Sequence, residues 1–128
     1  MVDHAAPYRV LIVDDAPAVR EALRWLLENE PDIEVIGEAS NGFEALTQAS
    51  ALLPDVVILD VEMPVMNGFE VARSLKSVLE PPGILFISVH DEPEFRESGL
   101  DAGGDGFVEK GAGWPVLISE LRRILKLD

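Results

Sequence analysis

Short apolar blocks alternate with longer amphipathic stretches along the whole chain. Five of the blocks are rich in β-branched or other apolar residues and predict strands: Val10–Val13, Ile33–Ile36, Val56–Leu59, Ile84–Ile87 and Gly106–Val108. The blocks begin about 22 to 28 residues apart, which is the length of one strand plus one crossover helix. Because the third and fourth blocks lack polar alternation, we expect helices to cover both faces of those strands.

Helix signals lie between the predicted strands. Pro17 fits the first position of a helix that Pro31 ends. Asn41 and Asn67 each begin the tetrapeptide Asn-Gly-Phe-Glu, and we interpret each asparagine as a helix N-cap. A last helix begins near Trp114. Five strands alternating with five helices predict an α/β doubly wound fold with a mostly parallel sheet.

The fourth predicted helix, Glu92–Ala102, differs from the others. Pro93 stands at its start, Phe95 and Leu100 are its only large apolar residues, and Gly99 lies inside it. An interior glycine costs a helix about 1 kcal/mol relative to alanine. We therefore predict that this helix is the least stable one and the part that moves, with a small but well-packed helix as the alternative.

Composition and charge narrow the class of protein. The chain has 128 residues, which suits one domain, and we expect residues 1–128 to form it with approximately 8–127 structured. The formal net charge of −14 argues against direct binding of nucleic acid. Cysteine is absent, which excludes disulfides and thiolate metal sites. The apolar blocks are too short to span a membrane, and we expect a cytoplasmic protein.

Chemistry-bearing side chains stand at the predicted ends of four strands. Asp14 and Asp15 follow the first strand, and Asp60, Ser88 and Lys110 lie at the ends of the third, fourth and fifth. Each has an ordinary explanation alone, as a turn, cap or solvated residue. Together they meet at the edge where doubly wound folds bind ligands. Clustered carboxylates recruit a cation, and oxygen ligands alone favour Mg²⁺, with Mn²⁺ next.

The same residues belong to a longer set of motifs that covers essentially the whole chain: Val10–Asp15, Asp60–Gly68, Ser88, Ala102–Phe107 and Lys110. With these motifs the sequence resembles the receiver domains of two-component response regulators. The resemblance implies a flavodoxin-like (βα)5 fold with strand order 2-1-3-4-5. Gly111 follows Lys110 where many members of that family have proline.

The resemblance also implies roles for the acidic residues and the lysine. Asp60 would be the phosphoacceptor, which takes a phosphoryl group from a sensor histidine kinase or a histidine phosphotransfer protein. Asp15, Asp60 and the Glu62 main-chain carbonyl would bind Mg²⁺ directly, and Asp14 would help to hold the ion through water. Lys110 would pair with the phosphoryl oxygens.

A second group of residues would carry the response. Ser88 would be the switch hydroxyl that moves toward the phosphoryl group, and Phe107 the switch aromatic that rotates into the space Ser88 leaves. Glu62 and His90 stand two residues after Asp60 and Ser88, respectively. Our hypothesis is that these two side chains screen the acyl phosphate from water and set its lifetime.

Three alternative functions predict other residues at these positions. A phosphatase of the haloacid dehalogenase type would carry Asp-x-Asp on its first strand, whereas here Asp14 and Asp15 are adjacent. A flavodoxin-like flavin binder would have a Ser/Thr/Gly-rich loop at that place. A receiver that acts as an adaptor without phosphorylation would lack the intact acidic set. No turnover of an external substrate is expected.

The partners beyond the phosphodonor are less defined. Relatives of this kind often precede a helix-turn-helix domain, so a C-terminal effector domain outside this chain is one expectation, with transcription as the output. Arg122, Arg123 and Lys126 form a basic cluster on the last helix. We interpret it as a solvated face with favourable charge at a helix C-terminus, and a homodimer or effector contact is the alternative.

Overall fold

The computed structural model describes residues 6–126, and within that range five strands and five helices alternate. The strands are β1 (Tyr8–Val13), β2 (Ile33–Ala39), β3 (Val56–Asp60), β4 (Gly83–Ser88) and β5 (Gly106–Glu109). The helices are α1 (Pro17–Glu28), α2 (Gly42–Leu52), α3 (Gly68–Lys76), α4 (Pro93–Asp101) and α5 (Trp114–Leu125). Every predicted strand and helix is present. Residue 127, the predicted end of the structured region, lies outside the described residues.

The five strands form one parallel sheet in the order β2-β1-β3-β4-β5, which confirms the predicted fold. Buried apolar side chains form two clusters, one on each face of the sheet. One cluster contains side chains of α1 and α5, and the other contains side chains of α2, α3 and α4. The strands with no polar alternation, β3 and β4, are buried almost throughout, as both faces are covered.

Both predicted asparagine caps are present. Asn41 accepts a hydrogen bond from Glu44 N (2.9 Å), and Asn67 accepts one from Glu70 N (3.0 Å). At α3 the bond is reciprocal, since Glu70 accepts from Asn67 N at 3.0 Å, which completes a capping box. Pro17 occupies the first turn of α1, as its fixed φ and missing N–H favour. These local signals therefore fix where the helices begin.

Helix α4 is attached to the sheet more weakly than its neighbours are. Of its nine residues only Gly99 is buried, Leu100 is exposed, and no side chain caps its N-terminus. The structure also gives Gly99 a purpose, because a Cβ there would lie 3.1 Å from ring carbons of both Phe86 and Phe107. The glycine thus lets α4 approach the sheet closely. That α4 is the least stable helix stays a prediction.

The basic side chains at the end of α5 remain partly solvated, as the sequence predicts, and two of them also form ion pairs within the chain. Arg122 forms ion pairs with Glu30 (2.6 Å) and Asp32 (2.8 Å), which precede β2. Arg123 pairs with Glu120 at 2.7 Å. Two of the three basic side chains therefore form ion pairs within the chain, and those of Arg122 connect α5 to the turn between α1 and β2. Among residues 6–126, no helix is long and apolar enough to cross a bilayer.

Candidate functional site

Three carboxylates meet at the carboxyl edge of the sheet. Asp14 and Asp15 directly follow β1, and Asp60 is the last residue of the neighbouring strand β3. One oxygen from each of the three lies within 4.8 Å of the others. Asp14 and Asp60 are buried, whereas Asp15 is exposed. The predicted acidic cluster is therefore assembled, with one side open to solvent.

Lys110 lies between the two buried carboxylates. Its Nζ is 3.0 Å from Asp14 Oδ2 and 3.1 Å from Asp60 Oδ1. Its backbone N–H donates to Ser88 O at 2.7 Å, which fixes the residue against the end of β4. Burial opposes the charged ammonium, but hydrogen bonds to both carboxylates outweigh it and raise the pKa of Lys110 above its ordinary value. The site therefore holds a permanent positive charge.

The surroundings of Asp60 disfavour its ionised form. Burial and the charge of Asp14 raise its pKa to about 7, although Lys110 acts in the opposite direction. Asp60 Oδ2 is fully buried and accepts no hydrogen bond from any residue that the structure describes. A buried carboxylate oxygen without a partner is costly and rare in folded proteins. Asp60 thus presents an oxygen that is ready for a ligand.

The donor set fits a hard divalent cation. The three acidic residues supply oxygen ligands from both the buried and the exposed side of the site, and Asp60 Oδ2 has no protein partner among the described residues. Oxygen ligands with an open, solvent-facing side suit Mg²⁺ or Mn²⁺, which retain several waters. The edge of the sheet is therefore an acidic pocket with the chemistry of a magnesium site.

Glu62 connects the acidic cluster to the end of β4. Its backbone N–H donates to Asp60 Oδ1 at 3.2 Å, and its carboxylate accepts the hydroxyl proton of Ser88 at 2.7 Å. The sequence places Glu62 beside the site but does not predict this hydrogen bond, because no sequence motif indicates which side chain accepts the proton of Ser88. The ring of His90 stacks on Phe95 of α4, with centroids 4.4 Å apart. That Glu62 and His90 set the lifetime of an acyl phosphate stays a prediction.

Phe107 is already inside the protein. Its side chain is buried on β5 and packs near Phe86, with ring centroids 6.2 Å apart. The guanidinium of Arg96 lies over the ring at 5.1 Å and donates to Phe107 O at 3.2 Å. Sequence reasoning missed Arg96, because only the packing of α4 on β5 brings the two residues together. Rotation of Phe107 in response to Ser88 stays a prediction, and the ring is buried in this structure.

Gly68 brings α3 against the strand that carries Asp60. A Cβ at this position would lie 2.3 Å from Asp60 O, a distance that no real contact shows. Gly68 N donates to Val61 O at 2.9 Å, so the first turn of α3 is bonded directly to the segment after the acidic residue. The last residue of the Asp60–Gly68 motif thus has a steric explanation.

The comparisons with known proteins agree with this geometry. The family model described as "Response regulator receiver domain" matches residues 10–122. Response regulator MprA of Mycobacterium sp. strain KMS is 40% identical over 94% of this chain and 51% of that protein. A protein-glutamate methylesterase/protein-glutamine glutaminase of Carboxydothermus hydrogenoformans is 38% identical over 94% of this chain and 36% of that protein. The chain thus spans about half or less of these curated relatives.

A solved structure gives the same result. The receiver domain of the response regulator NarL from Mycobacterium tuberculosis superposes with a TM-score of 0.85 at 35% identity, and the match covers 95% of this chain and 96% of that one. The fold is therefore shared along nearly the full length of both chains. The chain belongs to the family of response regulator receiver domains, the signalling modules of two-component systems.

Proposed function

We propose that this domain receives a phosphoryl group on Asp60 from a sensor histidine kinase or a histidine phosphotransfer protein and changes conformation to regulate an output. One observation carries the proposal. Asp60 Oδ2 is buried without a hydrogen-bond partner among residues 6–126, beside a lysine and two further carboxylates. In-line phosphoryl transfer requires a nucleophile with a free oxygen next to cationic groups that can pair with the phosphoryl oxygens, and Lys110 is such a group.

The chain's own residues perform the transfer as follows. An oxygen of ionised Asp60 attacks phosphorus, the bond from phosphorus to the donor's imidazole nitrogen breaks, and its electron pair stays on that nitrogen. Lys110 already contacts Asp60 and pairs with a phosphoryl oxygen as negative charge collects there. Asp14, Asp15, Asp60 and the Glu62 main-chain carbonyl would hold Mg²⁺ or Mn²⁺. When bound, this ion offsets the anionic charge of the phosphoryl oxygens.

The response begins at the end of β4. The phosphorylated Asp60 side chain carries about two negative charges next to the end of β4. Ser88 then donates its hydroxyl to a phosphoryl oxygen, Phe107 rotates into the space that Ser88 leaves, and the β4–α4 loop and α4 follow. The shift arises only from contacts that differ between the two states. Glu62 and His90 additionally limit the access of water to the acyl phosphate.

The proposal extends to context that follows from the family. It places the domain in the cytoplasm, as one receiver domain over residues 1–128 that assists its own phosphorylation and dephosphorylation without turning over an external substrate. An effector domain joined C-terminally would convert the change at α4 into an output such as transcription. Homodimerisation is a further route by which the change would be transmitted.

Phosphorylation is tested by incubating the protein with acetyl phosphate and Mg²⁺ and measuring the intact mass. We expect one phosphoryl group on the wild type, mapped to Asp60, and none on Asp60→Asn or in excess EDTA. Asp101→Asn, an exposed change at the end of α4, serves as the control and should be labelled like the wild type. Labelling of Asp60→Asn, or of another residue in the wild type, would refute the proposal.

A further inference from the structure

The hydroxyl of Ser88 is fully committed to partners other than Asp60. It is buried, donates its single proton to Glu62 Oε2 at 2.7 Å, and accepts a hydrogen bond from His90 N at 3.0 Å. A serine hydroxyl has one proton to donate. Ser88 therefore cannot donate to a group on Asp60 while it donates to Glu62.

We propose that the Glu62 carboxylate restrains the switch by competing with the phosphorylated Asp60 for the proton of Ser88. This inference rests on the proposed function, because the competing acceptor is the phosphoryl group. Glu62 is then a positioning residue that acts through Ser88. In the unphosphorylated protein it holds the hydroxyl in the resting position, and phosphorylation must break this bond before Ser88 can move.

The two acceptors are closely matched in kind. Both the Glu62 carboxylate and a phosphoryl group are anionic, so each forms a charge-assisted hydrogen bond with the hydroxyl. Exchange of one for the other gives only the difference between two strong bonds. A two-state equilibrium responds to such a difference and not to the strength of either bond alone. Part of the phosphoryl group's interaction free energy with Ser88 is therefore offset by breaking the Ser88–Glu62 hydrogen bond, and Glu62 sets the size of that part.

The restraint also reaches the backbone beyond Ser88. Glu62 Oε1 accepts a weaker bond from Val89 N at 3.4 Å, so the same carboxylate spans the last residue of β4 and the first residue of the loop. The next residue, His90, is bonded to Ser88 through its N–H and stacks on Phe95 with an interplanar angle of 6°. A displacement of Ser88 is thereby passed through His90 to α4. One carboxylate thus restrains both the end of β4 and the loop that leads to α4.

The test is a double-mutant cycle on the affinity for beryllofluoride, an analogue of the phosphoryl group, in the presence of Mg²⁺. We expect Glu62→Ala to tighten binding about tenfold, because this variant has no Ser88–Glu62 hydrogen bond to break when the anion binds. Glu62→Gln, which keeps a neutral acceptor, should give a smaller gain. In a Ser88→Ala background the same changes should have no effect. Glu80→Ala, an exposed loss of the same charge, is the control and should bind like the wild type.

The alternative cause is plain charge repulsion between Glu62 and the bound anion. Repulsion does not need the hydroxyl, so an equal gain from Glu62→Ala in the Ser88→Ala background would overturn the restraint. Hydrogen exchange of the free protein provides a second readout that requires no phosphoryl analogue. We expect amides of residues 89–101 to exchange faster in Glu62→Ala than in the wild type or Glu80→Ala, and unchanged exchange would contradict the restraint.

The two proposals can fail separately. If the wild type binds no beryllofluoride, the proposed phosphoacceptor function is wrong, whatever exchange shows. If the wild type binds it but the cycle gives no coupling between Glu62 and Ser88, the phosphoacceptor function stands and the restraint is wrong.

Discussion

Helices α3 and α4 have the same length of nine residues but are built in opposite ways. Each follows a strand that ends in a site residue, Asp60 for α3 and Ser88 for α4. Helix α3 has a capping box and buries four residues, whereas α4 has no side-chain cap and buries only Gly99. Asp60 therefore lies before a capped and well-buried helix, and Ser88 lies before an uncapped helix with little burial.

Aromatic rings form the boundary between the two helices. Phe69 of α3 packs edge-on against Phe86 at 5.2 Å and lies 6.5 Å from Phe95 of α4. Phe107 adjoins Phe86 on the other side. Ring contacts of this kind contribute about 0.5–1.5 kcal/mol each and tolerate several arrangements. The difference between α3 and α4 shows that two helices of equal length in one domain can be capped and buried to very different extents.

The largest expected effect comes from adding a methyl group to each helix at its closest approach. Gly68→Ala in α3 places a Cβ 2.3 Å from the backbone oxygen of Asp60, which cannot rotate away, and should cost at least about 3 kcal/mol of unfolding free energy. Gly99→Ala in α4 meets only ring carbons at 3.1 Å and gains helix propensity, so it should cost about 1 kcal/mol or less. Urea denaturation measures both, and similar losses would contradict the comparison.

The next effect is the pH dependence of the acceptor side in metal-free protein. The folded state keeps Asp60 protonated up to about pH 7, whereas the unfolded state releases that proton near its ordinary pKa of 3.8. Between these values the folded state binds more protons, so this group makes stability fall as the pH rises. Asp60→Asn keeps this side chain neutral at every pH and should therefore be at least about 2 kcal/mol more stable than the wild type at pH 8.

At pH 4 the same variant should match the wild type, because Asp60 is then largely protonated in the folded protein. Thermal or urea unfolding in EDTA at the two pH values measures the difference. Asp101→Asn on the α4 side is the matched control and should show no comparable crossover. A wild type that is as stable as Asp60→Asn at pH 8 would show that Asp60 is not strained.

The smallest effect concerns the caps. Asn67→Ala removes the cap of α3 and should cost about 1 kcal/mol. Glu92→Asn gives α4 the cap residue that it lacks and should stabilise the protein by about 0.5 kcal/mol, because Glu92 already has extended backbone angles. Hydrogen exchange of α4 should slow in Glu92→Asn. If exchange in α4 is unchanged, the missing cap does not explain its weak attachment.

The sequence was sufficient for the elements and for the composition of the site. Apolar blocks mark the strands because β3 and β4 are buried on both faces, and the asparagines mark helix starts because capping is local. Strand β2 extends to Ala39, three residues beyond the predicted end at Ile36, since this edge strand carries polar Glu38 and Gly37. Its half-exposed positions dilute the apolar pattern on which the prediction relied.

Contacts between distant side chains could not be predicted in the same way. Glu62 and Ser88 are 26 residues apart, and Arg122 and Asp32 are 90 apart. Each pair forms only after the sheet has brought the strand ends or the helices together. The sequence alone predicts only that Gly99 weakens its helix, because the rings of Phe86 and Phe107 that require a glycine there come from the strands β4 and β5. The roles of these residues thus depend on neighbours in the folded structure, which periodicity and spacing along the sequence do not reveal.

Hydrogen exchange of the protein with and without a phosphoryl group on Asp60 tests the account most directly. After treatment with acetyl phosphate and Mg²⁺, we expect the exchange of amides in α4 and the preceding loop to change severalfold, while amides of α3 remain as they were. In Asp60→Asn, the same treatment should leave the exchange of both helices unchanged. Equal changes in α3 and α4, or an altered α4 in Asp60→Asn, would contradict a fixed acceptor coupled to a mobile helix.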